Sequence, residues 1–472
     1  MIHEATEDGW LALLRPEWLP ALAVLVGGVL LHSMNVLLLA TVLPSIVVDV
    51  GGAALMSWPT TAFLASSIVA ATCTGLLTAA FGARRAFCTG AVIFGSGALV
   101  SALAASMAQV IAGRFVQGFG GGLLSGVAYI LVRSTFPERV WPRALALMAG
   151  AWSVAILVGP LVGGVFAQHG DWRSAFTAVT VMAALLAVAA VGILPRAARD
   201  GAAARPGVPG GRVALTCVAI VAMSGAAVVT AAIAKAALIA VAIAALAAML
   251  RLDRAASTRL LPSDAFSLGS VTGVGLWSVL MLSIGFSPMH IYVPIFLQRL
   301  HGLAPLSAGY ATACASMAWT VAALAVAGVS TTGSSRLLVV GPLVMATGLF
   351  GVGMLSPAGP LAGLLPAIAV VGLGIGTCWA FAAQRVMAGA RSADATLAAS
   401  AVATVQQIGF ALGAALAGLV ANTSGLAVDA DLTGMTRAAF WVPASFAAAA
   451  VGAGITGLRL ATLTARAGSA RG

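Results

Sequence analysis

A few side chains able to do chemistry fall inside otherwise apolar stretches of this sequence. His32 and Asn35 are three residues apart, a spacing that puts them on one face of a helix. An imidazole changes charge near neutral pH and would suit a proton relay; a neutral histidine bonded to a neighbouring helix is the plainer alternative. Arg114 and Gln117 share that spacing in RFVQGFGGG. A guanidinium inside a membrane costs roughly 2.5–3.5 kcal/mol on insertion scales, so Arg114 should meet a cavity or a polar partner, with a part in coupling or gating, unless it snorkels to the end of its span. The glycines that follow would let a neighbouring helix approach closely. His290 lies in a stretch interrupted by Gly285, Ser287, Pro288 and Pro294. Gln406 and Gln407 could bond between helices or offer donors to a cavity, and Trp277, Tyr292 and Trp379 could pack or line a pocket for a planar compound. In GPLVGG, Pro160 should kink a helix while Gly159, Gly163 and Gly164 give it a smooth packing face. None of the 13 Asp and Glu falls in the middle of an apolar run, and Asp49 reads as a helix-end residue.

These residues need elements to hold them, and composition says which kind. Of 472 residues, 61% are hydrophobic and only 8% charged, which excludes a water-soluble enzyme and a disordered chain. Apolar runs of about 18 residues or more recur along the length and read as membrane helices, and the alternating segments of a β-barrel are absent. Spans fall at 21–45, 55–79, 86–106, 109–132, 144–167 and 173–194; then come 213–232 and 236–250, and six more at 268–298, 306–330, 336–356, 360–384, 398–422 and 437–458. The expected fold class is thus all-α and polytopic, with fourteen spans: a six-helix bundle over 1–194, a linker with two additional spans over 195–266, and a second bundle over 267–472. One continuous helix over 213–250 would be about 57 Å long against a hydrocarbon core of about 30 Å, so a hairpin turning near Lys235 is expected. With the N-terminus inside, nineteen of the 24 basic residues fall in cytoplasmic segments and four outside, placing both termini in the cytoplasm. The net charge of +11 is therefore an orientation signal with no bearing on nucleic acid. The acidic N-terminus does not read as a cleaved signal peptide. The five cysteines stand singly, without metal-ligand spacing, and no HExxH, GxSxG or phosphate-binding loop is present. We therefore expect no catalytic residues, metal or cofactor. Placing Pro44 over Pro294 makes the two sets of six run as parallel repeats.

The ordered set LPSIVVDVG after the first span, RFVQGFGGG, GPLVGG, DWRSAF, YVPIFLQRLHGLAPLSAG and QQIGFALG resembles the major facilitator superfamily, in its fourteen-span drug–proton antiporter branch. The resemblance covers nearly the whole chain. It implies two six-helix bundles rocking about a small-molecule substrate near the midplane, in a multi-pass protein of a bacterial cytoplasmic membrane, with protons and lipid as further partners and a monomer as the working unit. The cavity-lining helices it implies are the first and fourth of each six. In the loop after the second span, Gly75, Gly82, Arg84 and Arg85 match a gating motif, but Ala79 stands where that motif usually holds an Asp. Asn35 likewise occupies a position where this branch often has a membrane Asp. Proton-coupled export of small hydrophobic compounds is the resulting expectation. A lipophilic cation would lack a counter-charge here, so neutral or anionic compounds are expected. An uncoupled facilitator and a non-transporting membrane sensor are the alternatives.

Overall fold

The computed structural model describes residue 13 and residues 15–51, 58–168, 171–195, 210–229, 231–256, 259–303, 305–425 and 432–469, and these form helices with no strand among them. In chain order they are α1 (Leu19–Val50), α2 (Trp58–Phe81), α3 (Ala83–Ala102), α4 (Met107–Thr135), α5 (Trp141–Gln168) and α6 (Trp172–Ile193). There follow α7 (Gly210–Val228), α8 (Ala232–Arg254), α9 (Val271–Phe286), α10 (Pro288–Ile291), α11 (Val293–Arg299) and α12 (Pro305–Val326). The last are α13 (Thr331–Leu355), α14 (Leu361–Gly389), α15 (Ala395–Thr423) and α16 (Leu432–Ser469). Among the described residues, ten helical segments are long and apolar enough to cross a membrane, or eleven if α2, bent by 52° between Ala71 and Cys73, counts as one span.

The helix boundaries follow from local chemistry. Ser106 caps α4 by accepting from the Gln109 N–H, while the Gln109 side chain takes the Ala105 N–H at 2.6 Å, a reciprocal arrangement that satisfies two otherwise orphaned donors. Asp171, Ser270 and Ser330 cap α6, α9 and α13 in the same one-way sense. Gly82 joins α2 to α3 through a single residue at φ 83°, a conformation that a side chain would strain. Pro288 and Pro294 each stand among the first residues of a new helix and divide 271–299 into α9, α10 and α11. In the central pair α7 ends at Val228 and α8 begins at Ala232, ahead of Lys235, near which the hairpin was expected to turn. Lys235 lies inside α8, its N–H bonded to the Ala231 carbonyl at 2.9 Å.

The chain divides into two compact units. The first comprises Met1–Cys217, Ala248–Leu261 and Thr396–Thr404; the second comprises Val218–Ala247, Pro262–Ala395 and Val405–Gly472. In the first, α4 packs against α1, α2 and α3, and α1 and α3 each pack against α6. Glycines make this possible: a Cβ on Gly118 would stand 2.7 Å from the Phe63 Cα, and one on Gly122 would stand 2.8 Å from the Ser67 Cα, so α2 and α4 touch backbone to backbone. In the second unit, α14 packs against α12, α13 and α9, with Gly372 and Gly376 held equally close to Ala315 and Trp319 of α12. The α7–α8 hairpin buries Ala222, Met223, Ala226, Ile239 and Ala242 together, with Ala411, Leu412 and Leu419 of α15 against them.

Two carboxylates fix the chain around the connector after α8. Asp253, 3% exposed, accepts from the Arg212 guanidinium at 2.6 Å and from the Leu260 and Leu261 N–H groups at 2.8 and 3.0 Å. Asp394 is also buried and accepts from the Ser263 N–H at 3.0 Å and from its hydroxyl. Phe266 takes a positive φ of 61°, unusual for a bulky side chain, and the Trp277 indole holds it by donating to its carbonyl at 3.0 Å.

Candidate functional site

The first unit gathers four of the sequence-derived candidates. Arg114 is 1% exposed, although a guanidinium keeps its charge under any ordinary condition. Its Nη1 donates to the Gln117 side-chain oxygen at 2.7 Å and to the Asn35 side-chain oxygen, joining α4 to α1. The guanidinium carbon also lies 4.1 Å above the centre of the Phe63 ring, a cation–π contact supplied by α2. Neutral groups therefore solvate the charge, and among the described residues no carboxylate pairs with it. His32 lies one turn before Asn35, stacked on Phe63 at 5.4 Å and edge-on to Trp152 at 6.1 Å. Its Nδ1 fills the space beside Gly121, where any side chain would collide with it. Helical spacing thus places His32 with Asn35 and Arg114 with Gln117; packing of α1 on α4 brings the pairs together. Phe63 carried no sequence signal, because nothing distinguishes one buried phenylalanine from the other core aromatics.

Nitrogen atoms in this cluster stay without partners. Both ring nitrogens of His32, Nδ2 of Asn35, Nε of Arg114 and Nε2 of Gln117 are buried and form no hydrogen bond.

The second unit disperses its candidates. Trp379 is buried with its ring 5.6 Å from Trp319, which in turn lies 5.1 Å from Phe286. His290 is exposed, flanked by Phe286 at 5.0 Å and Phe410 at 6.3 Å. Trp277 packs on Phe266 at 5.1 Å and holds the connector. Tyr292 is half-buried, and its hydroxyl and the Lys235 amine each lie 3.1 Å from where a Cβ on Gly418 would stand. The approach of Lys235 and Tyr292 to the same glycine carries no sequence signal, since 57 residues separate the two. Gln406 and Gln407 are half-buried on α15. In the first unit Arg84 and Arg85 open α3, half-buried and exposed respectively. Gly159 is buried in α5; the expectations for Pro160, Gly163 and Gly164 concern surroundings that lie outside the described residues. Among the described residues no group of three or more His, Cys, Asp or Glu could hold a metal.

The sequence profile of the Major Facilitator Superfamily matches residues 25–414, most of the chain. The chain belongs to that superfamily. A "Probable multidrug-efflux transporter" of Mycobacterium tuberculosis is 36% identical over 445 residues, covering 90% of this chain and 92% of the relative. The tetracenomycin C resistance and export protein of Streptomyces glaucescens is 25% identical over 421 residues, 86% of this chain and 76% of that one. In fold, the chain is similar to the human organic anion transporter MFSD10, with TM-score 0.70 and 15% identity over 94% of this chain and 99% of the other. A second likeness is to the proton:xylose symporter XylE, with TM-score 0.64 and 16% identity over 92% and 94% of the two chains. This superfamily member is an integral, multi-pass membrane protein of a non-enzymatic, transporter class.

Proposed function

We propose that this protein exports small hydrophobic compounds, neutral or anionic, by alternating access driven by a proton gradient. The observation that carries the reading is the charge balance around Arg114: it is buried on amide oxygens and a phenyl face, and among the described residues no carboxylate pairs with it. Such a site repels a lipophilic cation and tolerates a neutral or negatively charged guest. Relatives named for multidrug efflux and antibiotic export support the direction of transport. The fourteen-span topology belongs to this proposal: the central hairpin adds two spans to twelve, both termini are cytoplasmic, and a monomer works in the cytoplasmic membrane of a bacterium. The division at 1–194, 195–266 and 267–472 is its domain scheme. His32 is the proposed proton carrier, because it is the titratable side chain beside the Arg114 cluster at mid-span.

Proteoliposomes with an imposed pH gradient test this. Export of a lipophilic weak acid should follow the gradient, a quaternary dication should be transported poorly, and His32→Ala should abolish gradient dependence. Strong export of the dication alone would overturn the substrate class, and undiminished gradient-driven transport by His32→Ala would overturn the carrier. Asn35 supports a second reading, since the site then holds no carboxylate to carry the proton. Transport independent of the gradient in the unsubstituted protein would establish this uncoupled facilitator.

A further inference from the structure

The unpaired atoms around Arg114 share one property. Nδ2 of Asn35 and Nε2 of Gln117 are amide donors, and Nε of Arg114 is a guanidinium donor. His32, with both ring nitrogens unpaired, contributes at least one N–H more. The amide oxygens are spent on Nη1 of Arg114, so each amide turns its donor end away from the guanidinium. Every one of these side chains is at least 99% buried. The cluster therefore combines a fixed positive charge with an excess of N–H groups and a shortage of acceptors. Burial of an unsatisfied donor is unfavourable, and burial of an unpaired charge more so. The Phe63 face offsets part of the charge but accepts no conventional hydrogen bond from the surrounding amides. One chemical object would satisfy both shortages together, namely a compact monoanion with several lone pairs.

We infer that Arg114, Asn35, Gln117 and His32 form an intramembrane binding site for a single negative charge, either a halide or a carboxylate. The inference stands on the geometry of the cluster and does not require proton coupling or any direction of transport. Two sources share this chemistry: an inorganic anion taken from solution as a resident counter-ion, and the acid group of a transported compound. Asn35 gives the site an internal control, because Asn35→Asp is nearly isosteric and supplies the missing charge covalently.

Thermal unfolding of the purified full chain in nanodiscs is the test, comparing sodium chloride, sodium benzoate and sodium isethionate at equal ionic strength. A ligand that binds the native state raises the midpoint with its concentration. Chloride or benzoate should raise it by several degrees over isethionate; Arg114→Gln should remove the rise. Asn35→Asp should also remove the rise and should match the anion-loaded unsubstituted protein in isethionate alone. A response to chloride identifies the resident counter-ion, and a response confined to benzoate identifies the acid group. The inference is wrong if neither anion raises the midpoint of the unsubstituted protein, or if the rise survives undiminished in Asn35→Asp. Should Arg114→Gln fail to fold, the Asn35→Asp comparison decides alone.

Discussion

Asp49 ends α1 beyond its apolar run and meets the start of α6, where Arg173 bonds its carboxylate and the Trp172 indole donates to it at 3.1 Å. These two hydrogen bonds, Arg173 foremost, hold the Asp49 carboxyl below its ordinary value of 3.8. Asp171 is lowered too, by the hydroxyl and the N–H of Ser174 at the head of α6. A carboxyl depressed in the folded state binds protons more readily when unfolded. Its contribution is therefore complete above the ordinary value and is lost as pH falls through the depressed one. Unfolding midpoints measured from pH 7 down to pH 3 should decline below the ordinary carboxylate range, and Asp49→Asn should flatten that decline while lowering the midpoint at pH 7. Both groups are exposed, so the expected effect is small. At this scale the sequence was legible where spacing along one helix sets a shared face: His32 with Asn35, and Arg114 with Gln117. Contacts between helices were not. The Arg173–Asp49 bond joins residues 124 apart, and no periodicity announces it.

Among the elements, apolar runs and prolines foretold most helices and an interruption within 268–298, which the fold resolves into α9, α10 and α11, because hydrocarbon admits few backbone structures other than the helix. The turn of the central hairpin was misplaced for a physical reason. Lys235, near which the hairpin was expected to turn, is buried inside the second unit and belongs to α8, which begins at Ala232. The anchoring of this insertion was also hidden, since Asp253 reads as one charge in a charged connector. In the fold it is a buried carboxylate with three donors, tying the start of α7 through Arg212 to the chain after α8. Asp253→Asn removes the negative partner of a guanidinium whose side chain is 12% exposed and leaves an amide facing two N–H groups. Breaking a buried pair from one side typically costs about 3–5 kcal/mol. We expect a loss near the lower figure, because Arg212 retains some access to solvent, read as a lowered unfolding midpoint. Arg212→Met should cost less, since Asp253 keeps both of its N–H donors.

Across the whole molecule the two sets of six helices repeat their packing but not their chemistry. Gly118, Gly120 and Gly122 of α4 meet Phe63, Phe94 and Ser67, and Gly372, Gly374 and Gly376 of α14 meet Ala315, Met345 and Trp319 in the same order. Each glycine of the second trio lies 254 residues after its counterpart, so Arg114 corresponds to Ile368 and Gln117 to Val371. With Pro44 set over Pro294, Asn35 corresponds to Gly285. The scaffold that seats the polar cluster exists twice, and one copy is apolar. The close glycine packing of α14 forms without a charged cluster, so that packing alone does not require one. Converting α4 to its counterpart, Arg114→Ile with Gln117→Val, removes the charge and one of its two acceptors, so that only the neutral Asn35 amide loses its donor. Replacing both partners of a buried hydrogen bond by apolar side chains of similar shape can be nearly neutral, whereas a buried amide left without a partner is unfavourable. The double variant should therefore insert and unfold close to the midpoint of the unsubstituted protein, with only the Asn35 amide left unpaired, yet lose gradient-driven export in proteoliposomes. Changing Gln117 alone to Val should lower the midpoint, because Arg114 then keeps its charge with one acceptor fewer. Full export by the double variant would move the coupling chemistry out of the first six helices. Loss of both folding and export would instead make the cluster part of what holds α1 to α4.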